Sequence, residues 1–171
     1  MIPDLDRDRA SVMQFITTRD ATKATGLSTE QLREWTSRRA LIPADIKPKG
    51  HGSQARYSWQ TILLLRLAVV FRDRFKLELQ AHRELFSSLR EGLSKLTFAS
   101  LWGKSLALHG GQQWNLVDAG DVLGPTDDCI VLRLDPHLEI LSEAFSFPLS
   151  MQFQLFAPIS TDSEVVAAEG R

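Results

Sequence analysis

The sequence predicts a mostly helical protein that carries a small α+β part near its C-terminal end. Two short helical patterns lie between residues 15 and 40, and a longer, almost wholly apolar helical pattern covers residues 62–71. Residues 105–117 instead show two strand-like runs around a pair of glycines, which is typical of a β-hairpin. The predicted order is therefore helices first and a short β segment later.

The composition is that of a soluble globular chain. Of the 171 residues, 43% are hydrophobic and 24% are charged, which excludes wholesale disorder and fibrous repeats. The longest apolar run, residues 62–71, is shorter than the roughly 18 residues that a membrane span needs. The charged N-terminal residues contain no apolar signal region, so a cytoplasmic location is expected. The lone Cys129 excludes an intrachain disulfide and a CxxC metal site.

Charge is unevenly distributed along the chain. Residues 1–75 carry 13 Lys and Arg against 8 Asp and Glu, whereas residues 76–171 carry 7 against 13. An excess of positive charge at the front indicates an anionic partner for that part of the chain. Chance unevenness is the alternative interpretation.

The first two helical patterns have recognisable ends. Thr17 and Thr18 can cap a first helix that is expected to run through Ala24, and Gly26 supplies the left-handed backbone with which a helix often ends. A capping box of Ser28 and Gln31 opens a second helix that is expected to reach about Arg39. A helix, a short turn and a helix in this order form a helix-turn-helix. The residues expected to face the core here are Leu27, Leu32, Trp35, Leu41 and Ile42.

A loop and a buried helix follow. Residues 43–54 mix proline, glycine and lysine, which is typical of a mobile basic loop. Residues 55–57 are expected to form a short strand that closes a wing. Ser58 is expected to cap the third helix, whose residues 62–71 are apolar almost all round and therefore buried.

A fourth helix is expected to begin at residues 75–79. Its stripe lasts fewer than three heptads, whereas a coiled coil usually needs three or four. Two interpretations stay open, a self-association helix and a helix in the chain's own core. The stripe at heptad spacing consists of Leu79, His82, Phe86, Leu89, Leu93 and Leu96.

The C-terminal half is predicted to be α+β. Two strands, 105–109 and 112–117, are expected around a two-residue turn at Gly110 and Gly111. A turn-rich acidic loop at residues 118–128 then leads to a third strand.

That third strand is expected at residues 129–134, and a helix follows it. Asp135 is expected as the N-cap, with Pro136 at the first helical position, and the helix is expected to end near Phe145. The predicted parts of the chain are a tail at 1–14, a winged helix-turn-helix domain at 15–75, a helical connector or dimerisation segment at 76–102, an α+β domain at 103–158 and a tail at 159–171.

The helix-turn-helix is the feature that points to chemistry. The major groove of DNA admits an α-helix, whose N-terminal residues then meet base edges. Gln and Arg can each make two hydrogen bonds to a base, and Arg and Lys also bind phosphates. A helical pair with a solvated basic face is the alternative. The predicted contacts to double-stranded DNA are Ser28, Thr29, Gln31, Arg33, Arg38, Arg39, Lys47, Lys49, Arg56 and Tyr57.

Four motifs occur in a specific order: Thr25-Gly26-Leu27-Ser28, Leu32-Arg33-x-Trp35, Ala40-Leu41-Ile42-Pro43 and Arg56-Tyr57-Ser58. With the apolar third helix and Phe75-Lys76-Leu77-Glu78 after them, they resemble the winged helix-turn-helix of the MerR-type regulators. The likeness covers residues 15 to about 90.

The resemblance implies a DNA-binding homodimer that regulates transcription. It also implies that Arg33 and Arg56 contact the phosphate backbone, that Trp35 packs at the DNA face, and that Ser28 and Thr29 open the recognition helix. RNA polymerase is a further partner that fits such a regulator. Association with the nucleoid is the location that fits it.

The chain departs from the family pattern at several positions. Glu34 stands where the family usually has Tyr or Phe, and Glu30 stands where a basic residue is common. Both carboxylates oppose phosphate, and Arg38 with Arg39 is expected to compensate. Ala40 replaces the usual glycine. The C-terminal half does not resemble the long coiled-coil helix with which the family commonly ends.

Other site classes find little support. The histidines, His51, His82, His109 and His137, lack metal-ligand spacing, and Cys129 is expected to be a buried small hydrophobe. No cofactor and no enzymatic activity are predicted. His51 is interpreted as a wing contact and His82 as a core residue. Four aromatic residues line either a small-molecule pocket or the core of the C-terminal part: Trp102, Trp114, Phe145 and Phe147.

The sequence therefore predicts a MerR-like transcriptional regulator that binds an inverted repeat as a homodimer. An architectural or excisionase-like DNA-binding protein is the first alternative. A protein-interaction module, in which Glu30 and Glu34 block DNA, is the second.

Overall fold

The computed structural model describes residues 14–50, 52–118, 120 and 128–147. The predicted tails at 1–14 and 159–171, His51, and most of the acidic loop lie outside the described residues. The helices are α1 (Thr18–Thr25), α2 (Thr29–Arg33), α3 (Trp59–Asp73), α4 (Arg83–Ser94) and α5 (Asp135–Ala144), and the strands are β1 (Ile16–Thr17), β2 (Arg56–Tyr57), β3 (Lys104–Gly110), β4 (Gln113–Asp118) and β5 (Ile130–Arg133).

The capping residues of the first two helices are confirmed. The Thr17 side chain accepts a hydrogen bond from the Asp20 backbone N–H, and Gly26 ends α1 with a φ of 74°. Ser28 and Gln31 form a capping box at the start of α2, in which each side chain accepts from the other's backbone N–H. These local bonds satisfy helix-end groups that would otherwise lack partners.

The second helix changes its hydrogen-bond pattern before it ends. A regular helix to Arg39 is the prediction, but α2 continues from Glu34 to Arg38 as a π-helical turn. The backbone N–H of Arg39 bonds the Glu34 carbonyl five residues earlier, at 2.8 Å. The wider turn moves the side chains at its end around the helix axis relative to an α-helix.

The predicted short strand is present, and its partner comes from the start of the described chain. Strand β2 pairs antiparallel with β1, with Ile16 opposite Tyr57. An isolated bridge between Ile46 and Arg56 closes the loop between them. We call residues 47–56 the basic loop.

Helix α3 is the centre of the core, as its apolar sequence predicts. Its residues 62–65 are all fully buried, so no side of that helix faces solvent over this stretch. Helices α1, α4 and α5 all pack against it.

Helix α4 begins later than predicted. Glu78 caps a 3-10 turn at Leu79–His82, and α4 starts only at Arg83. Lys76, with a φ of 55°, interrupts the helical backbone just before this turn. The heptad stripe faces the chain's own core, where Leu79, Phe86, Leu89 and Leu93 are buried. This burial favours the intramolecular interpretation of the stripe.

The three predicted strands form one antiparallel sheet in the order β4–β3–β5. The two-residue turn is shifted by one position from the prediction, because Gly110 pairs with Gln113 and the turn residues are Gly111 and Gln112. A register irregularity between Leu108 and Gly110 accompanies the shift.

The sheet contacts α4 through one tryptophan. The indole Nε1 of Trp114 donates to the Ser88 hydroxyl at 3.0 Å. Gly92 lies one helical turn after Ser88. A Cβ added there would lie 2.3 Å from the Trp114 ring, so only glycine fits at this position. Gly92 of α4 therefore makes room for the sheet.

Helix α5 packs against α1 and α3. The predicted cap is wrong in detail, because Leu134 is the N-cap and Asp135 is the first helical residue. The Asp135 carboxylate instead accepts from the Gly103 backbone N–H at 2.8 Å. This bond ties the start of α5 to the start of β3.

Arg66 joins three helices in the interior. Its Nε donates to Nδ1 of His137 on α5 at 3.2 Å, and its Nη1 donates to the Ala24 carbonyl at the end of α1. These bonds satisfy a guanidinium that would be costly to bury without partners.

The aromatic residues of the C-terminal part pack on one another. Phe98 lies 5.4 Å from Trp59, 6.1 Å from Trp102 and 4.6 Å from Phe147 between ring centroids, and Phe145 stacks on Phe147. Trp114 packs on α4. Of the two interpretations, these contacts support the core rather than a pocket.

We predict that Thr36→Val stabilises the protein. Thr36 is 1% exposed, and its hydroxyl has no hydrogen-bond partner among the described residues. Replacing an unsatisfied hydroxyl by a methyl group should raise the free energy of unfolding by about 1 kcal/mol. Urea unfolding of both proteins measures the difference.

Thr61→Val is the matched control. The Thr61 hydroxyl is equally buried, but it bonds Ser58 and Arg90, each at 3.3 Å. This variant should lose roughly 1–2 kcal/mol, because both partners are left without it. Destabilisation of similar size in both variants would contradict the assignment of Thr36.

We also predict that stability falls in mild acid because of His137. Burial, together with the positive charges of Arg66 and Arg74, lowers the pKa of His137 from 6.5 to about 4. The unfolded state then binds more protons between these values. The contribution of neutral His137 to the free energy of unfolding is complete above pH 6.5. It is lost as the pH falls towards 4, by at most about 1.4 kcal/mol per pH unit before solvent screening.

His137→Asn removes this titration and keeps an acceptor for Arg66. Urea unfolding at pH 4.5 and pH 7 should show a smaller pH dependence in this variant than in the original chain. His109→Asn is the control, because His109 is exposed on β3. An equal pH dependence in all three proteins would rule out His137 as the cause.

Candidate nucleic-acid interface

The exposed side of α2 carries the side chains predicted to meet DNA. Ser28, Thr29, Gln31 and Arg33 are exposed, while Leu32 on the opposite side is fully buried. The burial of Leu32 fixes the direction in which the polar side chains point. Thr29 and Arg33, four residues apart, lie on the same side of the helix and both line the groove described below, whereas Ser28 and Gln31 lie next to each other on its other flank.

Two of these side chains already have local partners. The Ser28 hydroxyl accepts from the Gln31 backbone N–H at 3.2 Å, and the Gln31 side-chain oxygen accepts from the Ser28 backbone N–H at 3.1 Å. A two-point contact from Gln31 to a base would require its oxygen to leave the capping box.

The end of the second helix carries an ion-pair cluster. Glu34 accepts from Arg39 Nε at 2.7 Å and lies 3.5 Å from Nη1 of Arg38. The two arginines expected to compensate for Glu34 are thus paired with it in the free protein. We call Glu34, Arg38 and Arg39 the glutamate–arginine cluster.

The basic loop presents its cations to solvent. Lys47, Lys49 and Arg56 are all exposed, as expected for residues that bind a phosphate backbone. His51, predicted as a further contact, lies outside the described residues.

A hydrogen-bond network holds the base of this loop. The Asp45 carboxylate accepts from the Ser58 backbone N–H at 2.7 Å and from the Ser58 hydroxyl at 3.1 Å. Arg90 on α4 donates to the same carboxylate at 3.0 Å and to the Pro43 carbonyl at 2.6 Å. Sequence reasoning missed Arg90, because Asp45 and Pro43 lie more than 40 residues away from it along the chain.

An open groove of about 600 Å³ separates the helices from the basic loop. Arg33, Arg38 and Arg19 line its helical side. Arg19 on α1 was not predicted, and no local pattern marks it, since only the folded chain places it near α2. The loop side is formed by Pro48, Ser53, Gln54 and Ala55, and Tyr57 also lines the groove.

Two predicted contact residues are buried. Trp35 is 8% exposed and Tyr57 is 1% exposed, and the guanidinium of Arg72 lies 5.0 Å from the Trp35 ring centroid. In this fold both residues support the surface from the core side, whereas direct contact with DNA by either ring would require rearrangement.

The part of the chain that the structure describes offers neither a metal-ligand cluster nor a membrane-spanning helix. Within that part of the chain, no group of three or more His, Cys, Asp or Glu side chains gathers as a metal site would require. None of the helices described there is long and apolar enough to cross a membrane. Cys129 is half-buried rather than fully buried, and His82 is also half-buried.

We predict that Ala40→Gly stabilises the end of the recognition helix. Ala40 follows the π-helical turn with a φ of 46°, a backbone conformation that costs an L-residue about 1 kcal/mol or more. Glycine relieves this strain but loses more conformational entropy on folding than alanine does. The net effect should be a rise of roughly 0.5–1 kcal/mol in the free energy of unfolding.

Ala81→Gly is the control for this substitution. Ala81 is exposed in the 3-10 turn before α4, so glycine there should be destabilising by about 0.5–1 kcal/mol. Thermal unfolding of both variants measures the two effects. A shift of both unfolding midpoints in the same direction would contradict the prediction.

Comparison with known proteins places the N-terminal part in a family. Residues 16–89 match the family model described as MerR HTH family regulatory protein. No curated protein matches the chain. The matched range runs from β1 into α4, so it contains the exposed side of α2, the glutamate–arginine cluster, the basic loop and the groove. Residues 16–89 are therefore similar to the helix-turn-helix region of MerR-type regulators, which suggests a DNA-binding regulator.

Proposed function

We propose that this protein is a sequence-specific regulator of transcription that binds double-stranded DNA as a homodimer at an inverted repeat. The observation that carries the proposal is the arginine-lined groove between α2 and the basic loop, within the region that matches the MerR family. A location in the cytoplasm, on the nucleoid, and a contact with RNA polymerase follow from this function.

The recognition step uses α2 and the residues before it. The major groove is about 12 Å wide and accepts a helix whose N-terminal residues face the bases. Ser28, Thr29 and Gln31 occupy that end and are exposed. They are the residues that we assign to base edges.

The phosphate backbone is bound on either side of the groove. Arg33 and Arg19 supply positive charge from the helices, and Lys47, Lys49 and Arg56 supply it from the basic loop, which acts as the wing. Phosphate contacts of this kind fix the position of a protein on the duplex without reading its sequence.

Homodimerisation would place two copies of α2 about 34 Å apart, one helical turn of DNA, and would require an inverted repeat. The heptad stripe of α4 is buried within the chain. Pairing of two chains therefore uses a different surface.

We predict that Arg33→Ala weakens binding to duplex DNA without unfolding the chain. Arg33 is exposed and lines the groove, so its loss removes a phosphate contact and little packing. The affinity for duplex DNA should fall about tenfold or more. The slope of log K against log salt should become shallower by roughly one phosphate contact. Genomic fragments retained by the purified protein at two salt concentrations measure both effects.

Arg133→Ala is the matched control. Arg133 is an equally exposed arginine on β5, outside the matched region, and its loss should leave binding unchanged. Enrichment of a few inverted repeats that Arg33→Ala loses would support a sequence-specific regulator. Retention without a shared motif would favour an architectural protein, and no retention at either salt would favour a protein-interaction module.

A further inference from the structure

The glutamate–arginine cluster has a geometry that depends on the π-helical turn. Glu34 lies four residues before Arg38 and five before Arg39, and the turn brings Arg39 within 2.7 Å of the carboxylate. The Arg38 pair is longer, at 3.5 Å, and the Arg38 side chain is 78% exposed. Arg39 is therefore the principal partner of Glu34.

The backbone of Arg39 is fixed on both sides. Its N–H donates to the Glu34 carbonyl at 2.8 Å, and its own carbonyl accepts a hydrogen bond from Arg83 of α4. The Arg39 side chain consequently starts from a fixed point beside Glu34, which lowers the entropy cost of forming the pair.

A carboxylate and a phosphate offer an arginine the same kind of partner. Both present anionic oxygens to the planar guanidinium. Arg38 also lines the groove that we assign to the DNA backbone, so the cluster lies at the edge of the binding surface. An arginine held by Glu34 has to leave or share that pair before it can bind a phosphate.

We propose that Glu34 is an intramolecular competitor for DNA phosphates, which holds Arg39, and more weakly Arg38, and thereby lowers the affinity of the protein for duplex DNA. This inference rests on the proposed function. It gives Glu34 a role that is separate from simple repulsion, because the residue removes positive charge from the surface as well as adding negative charge.

Glu30 provides the comparison that separates the two effects. It is an exposed carboxylate on the same helix, and within the described residues it forms no ion pair. Glu30→Gln removes one negative charge near DNA and releases no arginine. Glu34→Gln removes the same charge and releases Arg39 and Arg38.

The test measures duplex affinity across a salt series for the original chain, E34Q and E30Q. E34Q should bind about fivefold more tightly, since exposed ion pairs are worth up to about that factor. Its slope of log K against log salt should steepen by about one phosphate contact, or roughly 0.9. E30Q should show a smaller gain in affinity and an unchanged slope.

A double-mutant cycle with Arg39→Gln identifies the released side chain. In the R39Q background, E34Q should lose most of its advantage, because little positive charge is left to release. Thermal unfolding of each variant checks that all of them fold. A downfield Arg39 Nε–H signal in the free protein that disappears in E34Q would report the pair directly.

The outcomes separate this inference from the proposed function. A gain in E34Q that is no larger than in E30Q, or one that persists in R39Q, overturns the competitor role while DNA binding stands. Weaker binding by E34Q also overturns it. Failure of both the original chain and E34Q to bind at the lowest salt overturns the proposed function and this inference together, whereas binding by E34Q alone supports the inference.

Discussion

The complete burial of residues 62–65 on α3 is the constraint on which the rest of the structure depends. Four consecutive residues, 62–65, are 0% exposed, and consecutive residues of a helix point in all directions around its axis. A helix-turn-helix covers only part of such a helix. The remaining sides are covered by α4 and α5, so the C-terminal elements complete the core of the N-terminal region.

This constraint also explains the polar group inside the core. Arg66 interrupts the apolar run of α3, and burial lowers its pKa below the ordinary value of an arginine. Its bonds to Ala24 and His137 compensate for lost water, and they reach α1 and α5, one on each side. The one charged residue in the buried stretch therefore connects the recognition unit to the last helix.

Features that depend on neighbouring residues could be predicted from the sequence. Thr17, Gly26 and the Ser28–Gln31 capping box act over three or four residues, and all three are confirmed. The π-helical turn and the late start of α4 could not be predicted, because their backbone differs from a regular helix without a change in the apolar spacing. The docking of α5 depends on contacts with residues more than 70 positions away.

In the candidate site, too, local features could be predicted from the sequence and features that depend on distant residues could not. Exposure of Ser28, Arg33 and Lys47 follows from helix periodicity and loop composition, which are local. Burial of Trp35 depends on the core that forms behind it. The position of Arg19 in the groove depends on how α1 packs beside α2. No sequence motif predicts this packing.

Helix α4 supports both sides of the groove at once. Arg83 holds the Arg39 carbonyl at the end of the recognition helix, and Arg90 holds Pro43 and Asp45 at the base of the basic loop. The side of α4 at Ser88 and Gly92 carries Trp114 of the sheet. Because packed elements move as units, a shift of the sheet on α4 would change the separation between the recognition helix and the loop. The C-terminal elements thus affect the separation of the recognition helix and the basic loop in the function proposed above, although none of their described residues lines the groove.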